Sequence, residues 1–176
     1  MRFDEITAPR PTAESLATEA GHVAALLDAG PRDKAVAEWD ASRRSTDTWS
    51  ALVHLRFAQD TRDAEAKAAR EYADALAPVA TEHEVAIKKR LIGDPDRTGV
   101  EALVSPHVLR LWETDITTFD PAIAADLEEE SNLTARYTEL LASASFEIDG
   151  ATVNLSGLTP YAESSDRDMR HRAESL

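Results

Sequence analysis

Apolar residues recur along this chain at the three- and four-residue spacing of helices, and in one late stretch they alternate as in a strand. The first periodic segment, TAESLATEAGHVAALLDAG, follows Pro11. Thr12 is placed to cap it, Leu16, Val23, Leu26 and Leu27 form its stripe, and Gly30-Pro31 ends it. A long helix is predicted from about Arg32 to Ala58, with Val36, Trp39, Trp49, Leu52, Val53 and Phe57 as its apolar positions. Asp60 or Thr61 is read as the cap of a third helix that runs to Gly93-Asp94-Pro95, with Pro78 expected to kink or break it.

The region from Asp96 to Phe119 is less regular. It predicts short helices with Leu103, Val108, Leu111, Trp112 and Ile116 facing inward. Asp120-Pro121 then reads as an N-cap followed by proline at the first helical position. That helix should run to about Leu141 and bury Ile123, Leu127, Leu133, Tyr137 and Leu140. The period changes in SFEIDGATVNLSGL, where alternation around Asp149-Gly150 predicts a hairpin near residues 145–155. A last helix is expected from 165 to 176, with no Gly or Pro terminating it before Leu176, as in a truncated helix. The fold class expected is mainly α, an array of long antiparallel helices with one small β-hairpin, forming a single helical domain over 1–176.

Composition narrows the function classes. The 43% apolar content suffices for a core, and 6 Gly among 176 residues leaves helix favoured almost throughout. Acids outnumber bases by 33 to 19, a net charge of -14, which repels phosphate backbones and anionic lipid. Nucleic-acid and membrane binding are therefore not expected. The chain has no Cys, hence no disulfide and no thiolate metal site. MRFDEITAPR lacks the apolar core of a signal peptide, so the cytoplasm is the expected location.

Candidate chemistry is sparse. TEHEVAIKK (Thr81–Lys89) opens like the zinc-protease signature HExxH, in which two His one turn apart hold zinc and the Glu between activates water. Here Ile87 stands where the second His belongs, so His83-Glu84 reads as a surface pair. Glu19 with His22, and Asp168 with His171, have the carboxylate–imidazole spacing of di-metal helical bundles, but Gly21 interrupts one pair and a charge-rich tail holds the other. His54 and His107 have no metal-spaced partner. Asp126 and Glu128–Glu130 suit the start of a helix, and no Gly-containing calcium loop accompanies them. Trp39, Trp49 and Trp112 are assigned to the core. No catalytic, cofactor-binding or metal-binding residue is expected in this chain.

Three stretches in order carry a resemblance: WSALVHLRFAQDTRDAEAKAAREY (Trp49–Tyr72), LWETDITTFDPAIAADLEEESNLTARYTELLASASFEIDG (Leu111–Gly150) and ATVNLSGLTPYAESSDRDMRHRA (Ala151–Ala173). Together they resemble the amino-terminal region of oligoendopeptidase F and its relatives among the thimet-oligopeptidase-like zinc metallopeptidases. The third stretch is the most specific, with Asn154-Leu155-Ser156-Gly157-Leu158 leading into Ser165-Asp166-Arg167 and a basic helix. The resemblance implies a mostly helical enzyme with a deep channel that cleaves short peptides by zinc-activated water. It also implies that the HExxH helix and a third Glu ligand belong to a carboxyl-terminal catalytic domain that is this chain's missing partner. On that reading the chain alone is inactive, zinc belongs to the full-length parent, and the substrate is an oligopeptide. A free-standing helical scaffold or interaction protein is the alternative, and a homodimer is the pairing that an orphaned face would permit.

Overall fold

The computed structural model describes residues 6–118 and 120–176; Met1–Glu5 and Phe119 lie outside the described residues. The chain divides into two compact units, one up to Glu129 and one from Glu130 to Leu176. The first unit is built from α1 (Ala13–Ala29), α2 (Arg32–Gln59), α3 (Ala64–Ile92), α4 (Arg97–Val104) and α5 (Pro106–Thr118). A 3-10 turn, Pro121–Ile123, leads into α6 (Ala124–Ser143), which begins in the first unit and continues into the second. The second unit adds β1 (Phe146–Ile148), β2 (Ala151–Val153), a 3-10 turn at Ser156–Leu158, α7 (Thr159–Ala162) and α8 (Arg167–Glu174). The mainly α class with one small hairpin is borne out. Among the described residues no helix is long and apolar enough to cross a membrane.

Local signals set most of the boundaries. Thr12 caps α1 in a reciprocal box: its hydroxyl accepts from the Ser15 amide at 3.0 Å, and the Ser15 hydroxyl accepts from the Thr12 amide at 2.9 Å. Gly30, at φ 105°, closes the same helix in the left-handed conformation that glycine adopts without strain. The cap of α3 differs from the expectation. Asp63, not Asp60 or Thr61, accepts from the Glu65 and Ala66 amides, while Asp60 ends α2 and accepts from the Arg62 amide.

Nor does Pro78 break α3, which is continuous through it. Proline removes one backbone hydrogen bond at a cost of about 3 kcal/mol. Buried Leu76, Val85, Ile87 and Leu91 flank it, and α3 packs along both α1 and α2. At about 1.5–3 kcal/mol for each fully buried aliphatic side chain, tertiary packing outweighs the local preference.

The first unit's main core draws on all five helices: Val23, Ala35, Trp39, Ile87, Leu91, Val100 and Leu109. Trp39 and Trp112 meet edge to face at 5.2 Å. A smaller cluster of Trp49, Val53 and Ala73 holds the other end, where Trp49 meets Tyr72 at 5.9 Å and the Tyr72 hydroxyl donates to the Pro11 carbonyl at 2.9 Å. Two expectations fail in the short helices, since Leu103 and Leu111 are exposed. Each of these helices, of about two turns in α4 and between three and four in α5, fully buries one position, Val100 and Leu109 respectively.

The second unit is small. Ile148, Leu158 and Ala173 form its core, with Phe146, Val153, Tyr161 and Met169 packed around them. Asp149 (φ 51°) and Gly150 (φ 77°) make the predicted two-residue turn, both in the left-handed region that a type I′ hairpin requires. Pairs Phe146–Val153, Glu147–Thr152 and Ile148–Ala151 set the register. The motif after the hairpin also has a physical account. The Asn154 side-chain oxygen accepts from the Gly157 amide at 2.8 Å, and a Cβ on Gly157 would stand 2.9 Å from that of Val153. The predicted buried side of α6 is the largest departure: Leu127 is half-buried, while Ile123, Leu133, Tyr137 and Leu140 are exposed.

Candidate functional site

Among the concavities of the first unit, two bear on the sequence candidates. A cleft between α1, α2 and α3 has a floor of Leu16, Val23, Trp39 and Ile87 and polar walls that include Glu19, Ser42, His83 and Glu84. Tertiary structure thus brings together Glu19 and the His83-Glu84 pair, which lie far apart in sequence. The cleft holds only about 70 Å³, enough for a few waters and far below the several hundred that an organic ligand occupies. Its carboxylates are already engaged: the Ser42 hydroxyl donates to Glu19, and Lys88 binds Glu84 at 2.8 Å.

A groove bounded by α2, α3, α4 and α5 is larger, about 640 Å³. Leu103, Val104, Val108, Leu111 and Trp112 give it an apolar side, and Asp33, Asp40 and Asp115 stand at its edge. Lys88 lies in its floor, buried, bridging Glu84 and Asp115 at 2.8 and 2.7 Å. Burial by itself would lower the Lys88 pKa, but hydrogen bonds to Asp115 and Glu84 and their negative charge outweigh it and hold the value above the usual lysine range. The clamp ties α3 to α5. Sequence reasoning missed it, and its sole local sign was the i,i+4 spacing of Glu84 and Lys88.

A second clamp ties the start of α2 to the segment between α3 and α4. Arg32, at the start of α2, places its guanidinium on both oxygens of Asp94 at 2.6 and 2.7 Å and reaches Asp96 at 3.2 Å. The Asp94 carboxyl is held below its ordinary value, chiefly by the Arg32 hydrogen bond against some opposing desolvation.

Ser50, His54 and Asp74 have the composition of a nucleophilic triad, and their wiring excludes that role. His54 Nε2 meets Asp74 at 2.9 Å, while Nδ1 meets the Ser50 carbonyl oxygen at 2.8 Å and the Ser50 hydroxyl at a distant 3.4 Å. A carbonyl oxygen only accepts, so Nδ1 must carry a proton and cannot take one from the serine. Asp74 is also bound to buried Arg70 at 2.5 Å. The group is a polar tie between α2 and α3.

The remaining sequence candidates are dispersed. His22 pairs with Glu38 at 2.7 Å rather than with Glu19. His107 is exposed, and Asp168 and His171 are exposed on α8. Asp126 and Glu128–Glu130 are exposed on the first turns of α6. Among the described residues no three His, Cys, Asp or Glu side chains gather closely enough to hold a metal ion, so this donor set does not fit zinc.

The peptidase M3 N-terminal domain matches residues 3–119, more than half of the chain. The chain belongs to the peptidase M3 family. The resemblance read from the sequence is borne out, and solved structures extend it beyond residue 119. An oligoendopeptidase F structure is 29% identical with a TM-score of 0.90 over 99% of this chain. PZ peptidase A with an inhibitor is 28% identical with a TM-score of 0.90 over 98%. An oligoendopeptidase F from Bacillus anthracis str. Ames is 26% identical with a TM-score of 0.87, also over 98%. In each comparison the M3 chain covers 32% of the other, so it spans about a third of the length of these relatives. No curated protein matches it.

Proposed function

We propose that this chain is the amino-terminal helical portion of a zinc endopeptidase of the oligoendopeptidase F kind, acting on short peptides in the cytoplasm. In this reading it forms one wall of the channel through which peptides reach the catalytic centre. The observation that carries the reading is the match of nearly the whole chain to a third of each of several peptidases. Zinc supplies an activated water when bound in such enzymes. In this reading the chain contributes shape to the channel, and its described residues gather no three-donor cluster.

Two physical features support the wall role. Long helices crossing a cleft exclude folded proteins and bulk water while admitting an extended chain. The groove beside Trp112 has the volume and the apolar lining of a surface that holds part of a ligand, with carboxylates at its edge to favour basic residues.

The test begins with the coding DNA beyond the codon for Leu176 and an assay of the product it encodes on a fluorogenic oligopeptide. The expected outcome is an open frame reaching an HExxH helix, chelator-sensitive cleavage by that product, and no cleavage by residues 1–176 alone. A stop codon directly after Leu176 overturns the reading. So does chelator-sensitive cleavage by the 176-residue chain.

A further inference from the structure

Helices α2 and α5 each turn one stripe of side chains toward the groove of the first unit. On α2 the stripe is Asp33, Val36, Ala37 and Asp40, and on α5 it is Val108, Leu111, Trp112 and Asp115. Both have the i, i+3, i+4, i+7 spacing of a single helical face. Each helix packs on α3, which supplies the floor through Glu84 and Lys88. Buried Trp39 and half-buried Trp112 meet edge to face and join the two walls. All of these residues belong to the first unit.

The two walls differ in chemistry. The α5 wall, continued by Leu103 and Val104 of α4, is apolar, and Leu111 and Leu103 are 50% and 39% exposed. The α2 wall carries a carboxylate at each end of its stripe. The bases in the groove are committed, Lys88 to Glu84 and Asp115, and Arg43 to Asp40 and Asp47. Asp33 is exposed and has no ion-pair partner among the described residues. Asp33, Asp40, Glu84 and Asp115 against Arg43 and Lys88 leave the groove an excess of two negative charges. Such a field favours a cation, and the facing wall favours an apolar group.

We propose that this groove holds an extended peptide segment in which a large apolar residue stands directly beside Lys or Arg. The apolar side chain lies on Leu111 and Trp112, and the basic one reaches Asp33. Successive side chains of an extended chain point to opposite sides, so facing walls of unlike chemistry select neighbours in sequence rather than residues two apart. From Asp33 to Asp40 the α2 wall is about 10 Å long, which matches about three extended residues. That the occupant is a peptide rests on the peptidase reading above; the pairing of its residues rests on the two walls.

Titration of the 176-residue chain with short capped peptides, followed by nuclear magnetic resonance, tests the groove. A peptide with adjacent Leu and Arg should shift the Trp112 indole N–H and the Val108 and Leu111 amides, and leave Trp49, in the separate smaller cluster, unmoved. A Leu–Glu peptide should bind about 10-fold more weakly, because its charge is repelled by the groove. Placing Gly between Leu and Arg should weaken binding several-fold. Asp33→Asn should weaken the Leu–Arg peptide by about 3-fold, the scale of an exposed charge pair, without weakening the Leu–Glu peptide. Leu111→Ala should weaken both by about 10-fold. Both side chains are exposed, so neither variant disturbs the core. Equal affinity for the Leu–Arg and Leu–Glu peptides overturns the proposal, as does a Trp112 signal unmoved up to the solubility limit of the peptide. Trp112 shifts that follow protein concentration without peptide overturn it in favour of a second copy. Cleavage of oligopeptides by a longer product of the gene, with the groove silent, would sink the groove and leave the peptidase reading standing. Selective binding of the Leu–Arg peptide, with a gene that ends at Leu176, would do the reverse.

Discussion

The two units use the same composition in different ways. In the first, five helices converge on the main core, where Val100, Leu109 and Ala35 are fully excluded from water. In the second, three residues carry the core, and the longest helix leaves its apolar stripe outside. The difference shows that a periodic apolar pattern specifies a helix and a face but not the partner for that face. Where the partner lies within the chain, as for α3 between α1 and α2, the face is buried. Where no described element covers it, as along α6, the same pattern yields an exposed stripe.

The largest effect should come from the first unit's core. Leu91→Ala, at a site 2% exposed, should cost about 3–4 kcal/mol, seen as a lower urea midpoint. In the second unit, Ile148→Ala should cost about 2 kcal/mol, but from a smaller reserve. Exchange at 146–173 should become fast while the α1–α3 amides stay protected. A single shared transition for both variants would break the comparison and show that the units melt together.

Lys88→Met should cost about 1–2 kcal/mol. Stranding the partners of a fully buried pair costs about 3–5 kcal/mol, but Glu84 and Asp115 are 32% and 48% exposed and can be rehydrated. The pH dependence has a definite sign. Because the folded-state Lys88 pKa is raised, its contribution is complete below the ordinary value of 10.5 and is lost as pH rises through the raised value. Alkaline unfolding should therefore flatten in the variant.

Asp94 behaves in the opposite sense. Its folded value lies below the ordinary 3.8, so its contribution is present above that pH and is lost as pH falls through the lower value. Asp94→Asn should weaken the Arg32 clamp at neutral pH and shrink the acid-induced loss, a small effect because the pair is partly solvated. The smallest effect should be Leu133→Ser in the 176-residue chain, within about 0.5 kcal/mol, because that side chain already meets water. A large loss there would mean that α6 is covered in the chain as it stands.

Much of the fold was legible because its signals are local. The Thr12 and Asp120 caps, the Gly30 stop and the Asp149-Gly150 turn each depend on a few consecutive residues, and each appears where the sequence predicts it. The misread elements have a common cause. Asp60, Thr61 and Asp63 all have capping side chains within four residues, and the choice among them depends on where α2 ends. Pro78 is a strong breaker by itself and is overruled by packing on neighbouring helices. The groove and its Lys88 clamp join residues from Asp33 to Asp115, which no window of the sequence displays together.

By itself the sequence determined the helical periods, most of their caps and the hairpin, because propensity, hydrogen-bond capping and turn geometry act over a few residues and leave a written pattern. Only the tertiary structure decided which apolar faces are covered. It set Lys88 between Glu84 and Asp115, and wired His54 as a tie between helices. Burial and charge pairing depend on distances between residues remote in the chain, and those distances exist only once the helices have packed.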